Sequence, residues 1–163
     1  MTTLHKYSTL WMEYPDYTFY PDSENVKKDI GGNVDAAWIK NTCAIRLSRC
    51  LNYSGHPVPG AFPELLTVKG GDGKRYALRV REMRTWLEFR FGKPTFDMKK
   101  KQGAAFDKGP ITTLNGILAF DIVFDDATGH LDLWNGREFT TEYKTSRDWW
   151  TRATRISLWP APR

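Results

Sequence analysis

Cys43 is the residue whose type and local setting most favour nucleophilic chemistry in this chain. Beyond Thr42 the sequence has the apolar spacing of one helix face, at Cys43, Leu47, Cys50 and Leu51. With Thr42 as the N-cap, Cys43 lies in the first turn, where unpaired N–H groups and the helix dipole favour an anion. The thiolate is the reactive form of cysteine, so this position predicts a nucleophile. Cys50, further along the apolar face, is predicted to be a core residue.

His130 is the matching candidate for the general base. It begins a predicted strand in which His130 and Asp132 share one face, while Leu131 and Leu133 share the other. A thiolate can attack a carbonyl carbon while an imidazole takes a proton and returns it to the leaving group. The two residue types therefore predict acyl transfer, provided that the fold brings them together.

The residue that would orient the imidazole is left open by the sequence. Asn135-Gly136 predicts a two-residue hairpin loop, which would place Thr141 opposite His130. A bulge that shifts the register by one residue would place Glu142 there instead. Asp132, on the same face as His130, is also within reach. Asp132 and Glu142 are the two leading candidates, and Thr141 follows closely.

Negative charge on the attacked carbonyl oxygen requires fixed hydrogen-bond donors. The backbone N–H groups of Thr42 and Cys43 are the natural donors. Asn41 either helps to position them or only caps the helix. Arg46, in the first helical turn, either holds a substrate carboxylate or forms a salt bridge on the surface, and the surface role is the expected one.

The elements that must position these residues follow an order of helices first and strands later, which predicts an α+β fold. A single domain is expected to span residues 1–163. Helices are predicted for 4–14, from Cys43 to about Gly55, and for 80–91. Residues 15–40 are expected to be an irregular connection, and 99–110 a mobile polar loop. Strands are predicted for 116–124, 130–134, 137–144 and 156–159, with a short extended piece at 75–78.

Composition excludes several classes of protein. The 163 residues are 40% hydrophobic and 26% charged, as in a globular domain, and no apolar run is long enough to span a membrane. The N-terminus lacks a basic patch followed by an apolar segment, so no classical signal peptide is expected. Two Cys and three scattered His show no metal-ligand spacing, and neither a metal nor another cofactor is predicted. The net charge of +5 suits a polyanionic partner without selecting one.

Four sequence blocks resemble the family-four amidase effectors of bacterial type VI secretion, which are NlpC-type, papain-like peptidoglycan amidases. The two specific blocks surround the candidate nucleophile and base, at 41–48 and 129–136. Two supporting blocks lie at 30–34 and 78–87. The blocks occur in the family's order and spacing across about two thirds of the chain.

This resemblance implies a papain-like (NlpC-type) fold, with Cys43 as the nucleophile and His130 as the general base. It implies a toxin that cuts peptidoglycan stem peptides between D-glutamate and meso-diaminopimelate, and a cognate immunity protein that inhibits it. Such a toxin is made in the cytoplasm without a signal peptide, secreted by the type VI machinery, and active in the periplasm of the target cell. The chain departs from the family in two respects. The family has an Asp opposite the His where Thr141 is predicted here, and the family's disulfide near the hairpin is missing, since no Cys follows position 50.

Two other functions are compatible with the same residues. A papain-like deamidase or transferase would use the same Cys–His pair on a protein side chain. A non-catalytic basic binding module, for the cell wall or for nucleic acid, would not need the pair at all. Nucleic-acid binding is disfavoured because the aromatic residues fall mainly at core-like spacings rather than among Arg and Lys on one strand. No nucleic-acid partner and no membrane insertion are therefore predicted.

Overall fold

The structure is a computed structural model that describes residues 1–123, 129–140 and 148–163. Its helices are α1 (Tyr7–Glu13), α2 (Ser23–Ile30), α3 (Cys43–Tyr53), α4 (Val80–Phe91) and α5 (Trp149–Arg152), with short 3-10 helices at Gly32–Val34 and Gly109–Ile111. Its strands are β1 (Thr67–Lys69), β2 (Arg75–Ala77), β3 (Phe96–Lys99), β4 (Gly116–Asp121), β5 (Gly129–Trp134) and β6 (Arg155–Pro160).

Four strands form an antiparallel sheet in the order β3-β6-β4-β5. The strands β1 and β2 form a separate antiparallel pair. In β5, Leu131 and Leu133 pack in the core cluster that also contains residues of α3, whereas Trp134 packs in the cluster on the other side of the sheet. The alternation predicted for this strand is therefore confirmed, and the sheet separates two layers of core.

The α+β prediction is confirmed, and α4 and β6 lie where the sequence predicts them. The prediction of an irregular connection at 15–40 is wrong, because α2 lies within it. Asp22 caps α2 by accepting a hydrogen bond from the Asn25 N–H, and Val26 and Ile30 bury one face of the helix. A side-chain cap and one apolar face are enough to form a short helix here.

The loop after β5 differs from the predicted two-residue turn. Trp134 pairs with Phe139, so four residues connect them, and Asn135 Oδ1 accepts hydrogen bonds from the N–H groups of Arg137 and Glu138. The register that placed Thr141 opposite His130 required Trp134 to pair with Arg137 and is therefore wrong. Residues 141–147, which include the second half of the predicted return strand, lie outside the described residues.

Two glycines let the backbone pass close to its neighbours. Gly32 has a positive φ of 61°, and a Cβ there would lie 2.6 Å from the backbone of Gly70 and Gly71 in the β1–β2 turn. A Cβ on Gly129 would collide with the Phe120 carbonyl oxygen. Gly129 therefore allows β5 to pair closely with β4 immediately before His130. None of the described helices has the length and apolar character that a membrane span requires.

Candidate active site

Cys43 begins α3 and is 3% exposed, so the predicted position in the first helical turn is confirmed. Thr42 occupies the N-cap position, but its side chain does not cap the helix; its Oγ1 lies 3.3 Å from Ser23 Oγ. Asn41 Oδ1 accepts a hydrogen bond from the Cys43 N–H at 3.0 Å. The helix is therefore capped by Asn41 rather than by Thr42, at the residue that carries the thiol.

Side chains of α2 hold the segment that leads into Cys43. Lys27 is buried, and its Nζ donates a hydrogen bond to the Ile39 carbonyl oxygen at 2.9 Å. Ser23 Oγ donates to the Lys40 carbonyl oxygen at 3.0 Å. These two contacts fix the backbone immediately before the nucleophile, which is the requirement for a preorganised site.

His130 and Asp132 meet on one face of β5. His130 Nε2 lies 2.8 Å from Asp132 Oδ2, and both side chains are buried. His130 also hydrogen-bonds to the Cys43 thiol. The structure thus brings Cys43, His130 and Asp132 together in one chain of hydrogen bonds.

The electrostatics of His130 follow from this arrangement. Burial by itself lowers the pKa of His130, but the hydrogen bonds to Asp132 and to Cys43 outweigh burial and raise the pKa to about 9. The protonated imidazole is therefore favoured at neutral pH. This positive charge lies beside the candidate nucleophile.

Asp132 is itself fixed by hydrogen bonds to its second oxygen. Oδ1 accepts from the Leu133 N–H at 2.8 Å, from the Thr140 N–H at 3.2 Å, and from the Thr140 hydroxyl. This leaves Oδ2 directed at His130. Thr140 was not among the predicted site residues, because it lies beyond a turn whose length the sequence did not reveal.

The other two candidates for the orienting residue, Glu142 and Thr141, lie outside the described residues. Of the three, Asp132 is the one for which the structure gives a contact with His130.

Two tyrosines from the segment after α1 line the same region. Burial and the nearby Asp132 carboxylate raise the pKa of Tyr14 and of Tyr17 well above the ordinary value, and Cys43 adds to the shift at Tyr17. Both phenols therefore stay neutral at physiological pH. They give the carboxylate an environment with little water, in which its interaction with His130 is stronger.

Arg46 has neither of the roles expected from the sequence. It is fully buried, and its guanidinium donates hydrogen bonds to the carbonyl oxygens of Pro15, Tyr20 and Asp22 at 2.7–3.1 Å. The guanidinium also stacks on Tyr17, at 3.7 Å from the ring centroid. Arg46 thus ties the segment between α1 and α2 to the nucleophile helix, and it forms no ion pair with a carboxylate of the described residues.

The remaining Cys and His side chains have structural surroundings. Cys50 is fully buried and donates to the Leu10 carbonyl oxygen at 3.2 Å, which confirms the core prediction. Burial, with smaller contributions from the nearby His5 and Arg90, lowers the pKa of His56 to about 4. Among the described residues, no group of three or more Cys, His, Asp or Glu is arranged to hold a metal ion.

Residues 39–159 match the family model Tae4, described as type VI secretion system amidase effector protein 4. The chain belongs to this family. The match includes Cys43, His130, Asp132 and Thr140, and it extends over about three quarters of the sequence. No curated protein matches the chain in sequence.

Solved structures of this family have the same fold. The Tae4–Tai4 effector–immunity complex from Enterobacter cloacae matches with a TM-score of 0.82 and 29% identity, over 99% of each chain. The Tae4/Tai4 effector–immunity system from Salmonella typhimurium matches with a TM-score of 0.83 and 25% identity, over 97% of this chain and 99% of that one. The papain-like (NlpC-type) fold implied by the sequence blocks is consistent with this family.

Proposed function

We propose that this type VI amidase effector hydrolyses the bond between D-glutamate and meso-diaminopimelate in peptidoglycan stem peptides, with Cys43 as the nucleophile. The observation that carries the proposal is the position of His130, bonded to Asp132 on one side and to the Cys43 thiol on the other. A thiol, an imidazole and a carboxylate in this order are the parts needed for covalent amide hydrolysis. The family supplies the amidase class.

In the proposed first step, the Cys43 proton resides on His130 and the thiolate attacks the γ-carbonyl carbon of D-glutamate. A carbon–sulfur bond forms, and the carbonyl electron pair moves to oxygen. When the intermediate collapses, the carbon–nitrogen bond breaks and His130 gives its proton to the departing amine of diaminopimelate. A thioester on Cys43 remains.

In the second step, His130 takes a proton from water, and the resulting hydroxide attacks the thioester. The carbon–sulfur bond breaks, and D-glutamate leaves with a free γ-carboxyl group. Asp132 keeps the imidazole in one orientation through both steps and stabilises its protonated form. The protein ends with the proton again shared between Cys43 and His130.

The two proposed oxyanion donors differ in whether they already have a hydrogen-bond acceptor in the free protein. Within the described residues, the Thr42 N–H has no hydrogen-bond acceptor and is ready to donate. The Cys43 N–H is bonded to Asn41 Oδ1 and reaches an oxyanion only by leaving that acceptor. We therefore assign the Thr42 N–H as the donor that is available before substrate binds. The Cys43 N–H is the second donor, which Asn41 Oδ1 releases when substrate binds.

The biological setting is proposed from the relatives. The two related effectors occur with Tai4 immunity proteins, and we propose a cognate immunity protein for this chain as well. Synthesis in the cytoplasm, delivery by the type VI machinery and action in the periplasm of the target cell complete the proposal. The net charge of +5 suits a substrate polymer that carries many carboxylates.

Digestion of purified Gram-negative sacculi tests the proposal, with the released muropeptides separated and weighed. The wild-type protein is expected to release stems cut between D-glutamate and diaminopimelate. Cys43→Ala and His130→Ala are expected to release none, while Cys50→Ala, the matched cysteine control, is expected to retain activity. Thermal unfolding of each variant shows whether the fold is intact. Cleavage by Cys43→Ala, or a folded wild-type protein that cleaves no stem, would overturn the proposal.

A further inference from the structure

A cleft of about 250 Å³ begins beside the nucleophile and has no role in the steps above. One of its lining residues is Asn41, whose side chain accepts a hydrogen bond from the Cys43 N–H. The other lining residues come from two places in the chain, the segment before α3 and the strand ends before α4: Trp38, Ile39, Lys40, Leu66, Leu78 and Arg79. A substrate group in this cleft would therefore lie on the side of the nucleophile that Asn41 occupies.

The walls combine apolar surface with positive charge. Trp38 is 65% exposed, so its ring is available as a contact surface. Lys40 and Arg79 are both exposed. No carboxylate of the described residues lies within ion-pair distance of Lys40, whereas Arg79 pairs with Glu82 at 2.8 Å. Lys40 is thus the less compensated of the two cations.

The cleft is held open by contacts that do not involve its cationic groups. The Lys40 carbonyl oxygen accepts from Ser23, and the neighbouring Ile39 is buried and its carbonyl oxygen accepts from Lys27. On the opposite wall, Glu82 Oε2 accepts from the Leu66 N–H at 2.7 Å. The backbone on both sides is therefore fixed before any ligand arrives, while the Lys40 side chain is exposed to solvent.

We propose that this cleft binds a carboxylate of the stem peptide next to the bond being cut, with Lys40 as the principal cation, Arg79 as the second, and Trp38 as an apolar surface for the peptide. The proposal rests on the proposed function, because it assigns the cleft to the same substrate. An acidic peptide matches both features of the cleft, since cations attract its carboxylates and an aromatic face covers its aliphatic parts. In a stem that continues past diaminopimelate, two carboxylates remain near the bond: the α-carboxylate of D-glutamate and the side-chain carboxylate of diaminopimelate.

Three synthetic stem peptides, all with the main-chain carboxyl group of diaminopimelate amidated, distinguish these sources: L-Ala-γ-D-Glu-diaminopimelate, the same peptide with the α-carboxyl group of glutamate amidated, and the same peptide with the diaminopimelate side-chain carboxyl group amidated. The kcat/KM of each is measured with the wild-type protein, Lys40→Gln and Arg79→Gln. Lys93→Gln is the matched control, because Lys93 is exposed and does not line the cleft. The variant therefore loses the same charge elsewhere on the surface.

For the wild-type protein we expect one amidated peptide to react about fivefold more slowly than the acid, the weight of one exposed ion pair. Lys40→Gln is expected to lower the kcat/KM of the unamidated peptide by a similar factor and to abolish the difference between the unamidated and amidated peptides. Arg79→Gln is expected to have a smaller effect, and Lys93→Gln is expected to behave as the wild type. Discrimination should shrink in high salt. Equal rates on all three peptides, with Lys40→Gln and Lys93→Gln alike, overturn the subsite and leave the amidase intact. Cleavage of none of the peptides overturns both.

Discussion

Asp132→Asn removes the negative charge next to His130 with little other change, because the amide keeps the shape of the carboxylate. In the wild-type protein, burial is opposed by hydrogen bonds to Asp132 and Cys43, and the pKa of His130 is about 9. Without the carboxylate, burial dominates, and we expect the pKa of His130 to fall below its ordinary value of 6.5. His56 shows the size of the effect, because burial with little compensation lowers its pKa to about 4.

The same shift makes a prediction about stability. The pKa of His130 is higher in the folded chain than in the unfolded chain, so protonation of His130 stabilises the fold fully below about pH 6.5 and this contribution is lost as the pH rises through about 9. Since a pKa difference of one corresponds to about 1.4 kcal/mol, the contribution is about 3 kcal/mol. In Asp132→Asn, this fall in the free energy of unfolding between the two pH values is expected to be absent.

The assay is an NMR titration of the imidazole Cε1–H signals, with His56 as the internal control, combined with urea unfolding at several pH values. At pH 7 we also expect kcat of Asp132→Asn to fall at least about 100-fold, because the imidazole is no longer charged or oriented. A wild-type His130 with a pKa at or below 6.5 would refute the reasoning. So would a pKa that is unchanged in Asp132→Asn.

Three further substitutions test the surroundings of the site. Thr140→Val removes the hydroxyl that donates to Asp132 Oδ1, and we expect kcat to fall about tenfold at unchanged KM, as for a lost hydrogen bond to a charged group; a kcat within twofold of the wild type would show that Asp132 does not depend on it. Arg46→Met leaves three carbonyl oxygens without their donors, and urea unfolding should show a loss of about 3–5 kcal/mol; a loss below about 1 kcal/mol contradicts the bracing role. Cys50→Ala removes a buried sulfur and its bond to Leu10, so about 1–2 kcal/mol of stability should be lost while kcat/KM stays within twofold; an inactive but folded variant would place the chemistry elsewhere.

The parts of the site that local patterns control could be predicted from the sequence. A polar pair followed by one apolar helix face placed Cys43 in the first turn of α3, and strand alternation placed His130 and Asp132 on the same face of β5. Both patterns depend on residues a few positions apart, which secondary structure brings together by geometry alone. The family resemblance then linked the two elements.

The parts that depend on tertiary contacts could not be predicted. Asn135 Oδ1 accepts two backbone hydrogen bonds within the loop, which favours four connecting residues over the two that Asn-Gly indicates. That difference brought Thr140 to Asp132 and removed the basis for placing Thr141 opposite His130. The sequence predicts that Arg46 is a surface cation. Only the fold supplies the three distant carbonyl oxygens that make its burial favourable.

The central claim, that Cys43 carries the acyl group, is tested most directly by trapping the thioester. Wild-type protein is mixed with excess L-Ala-γ-D-Glu-diaminopimelate, quenched in acid within one turnover, and digested briefly with trypsin at the lowest pH at which trypsin is active. Trypsin separates the two cysteines, because Cys43 falls in the peptide 41–46 and Cys50 in the peptide 50–69. The account predicts that the mass of L-Ala-D-Glu, less one water, is added to the peptide 41–46 alone. Turnover without any adduct on that peptide, or an adduct on another residue, would contradict the account.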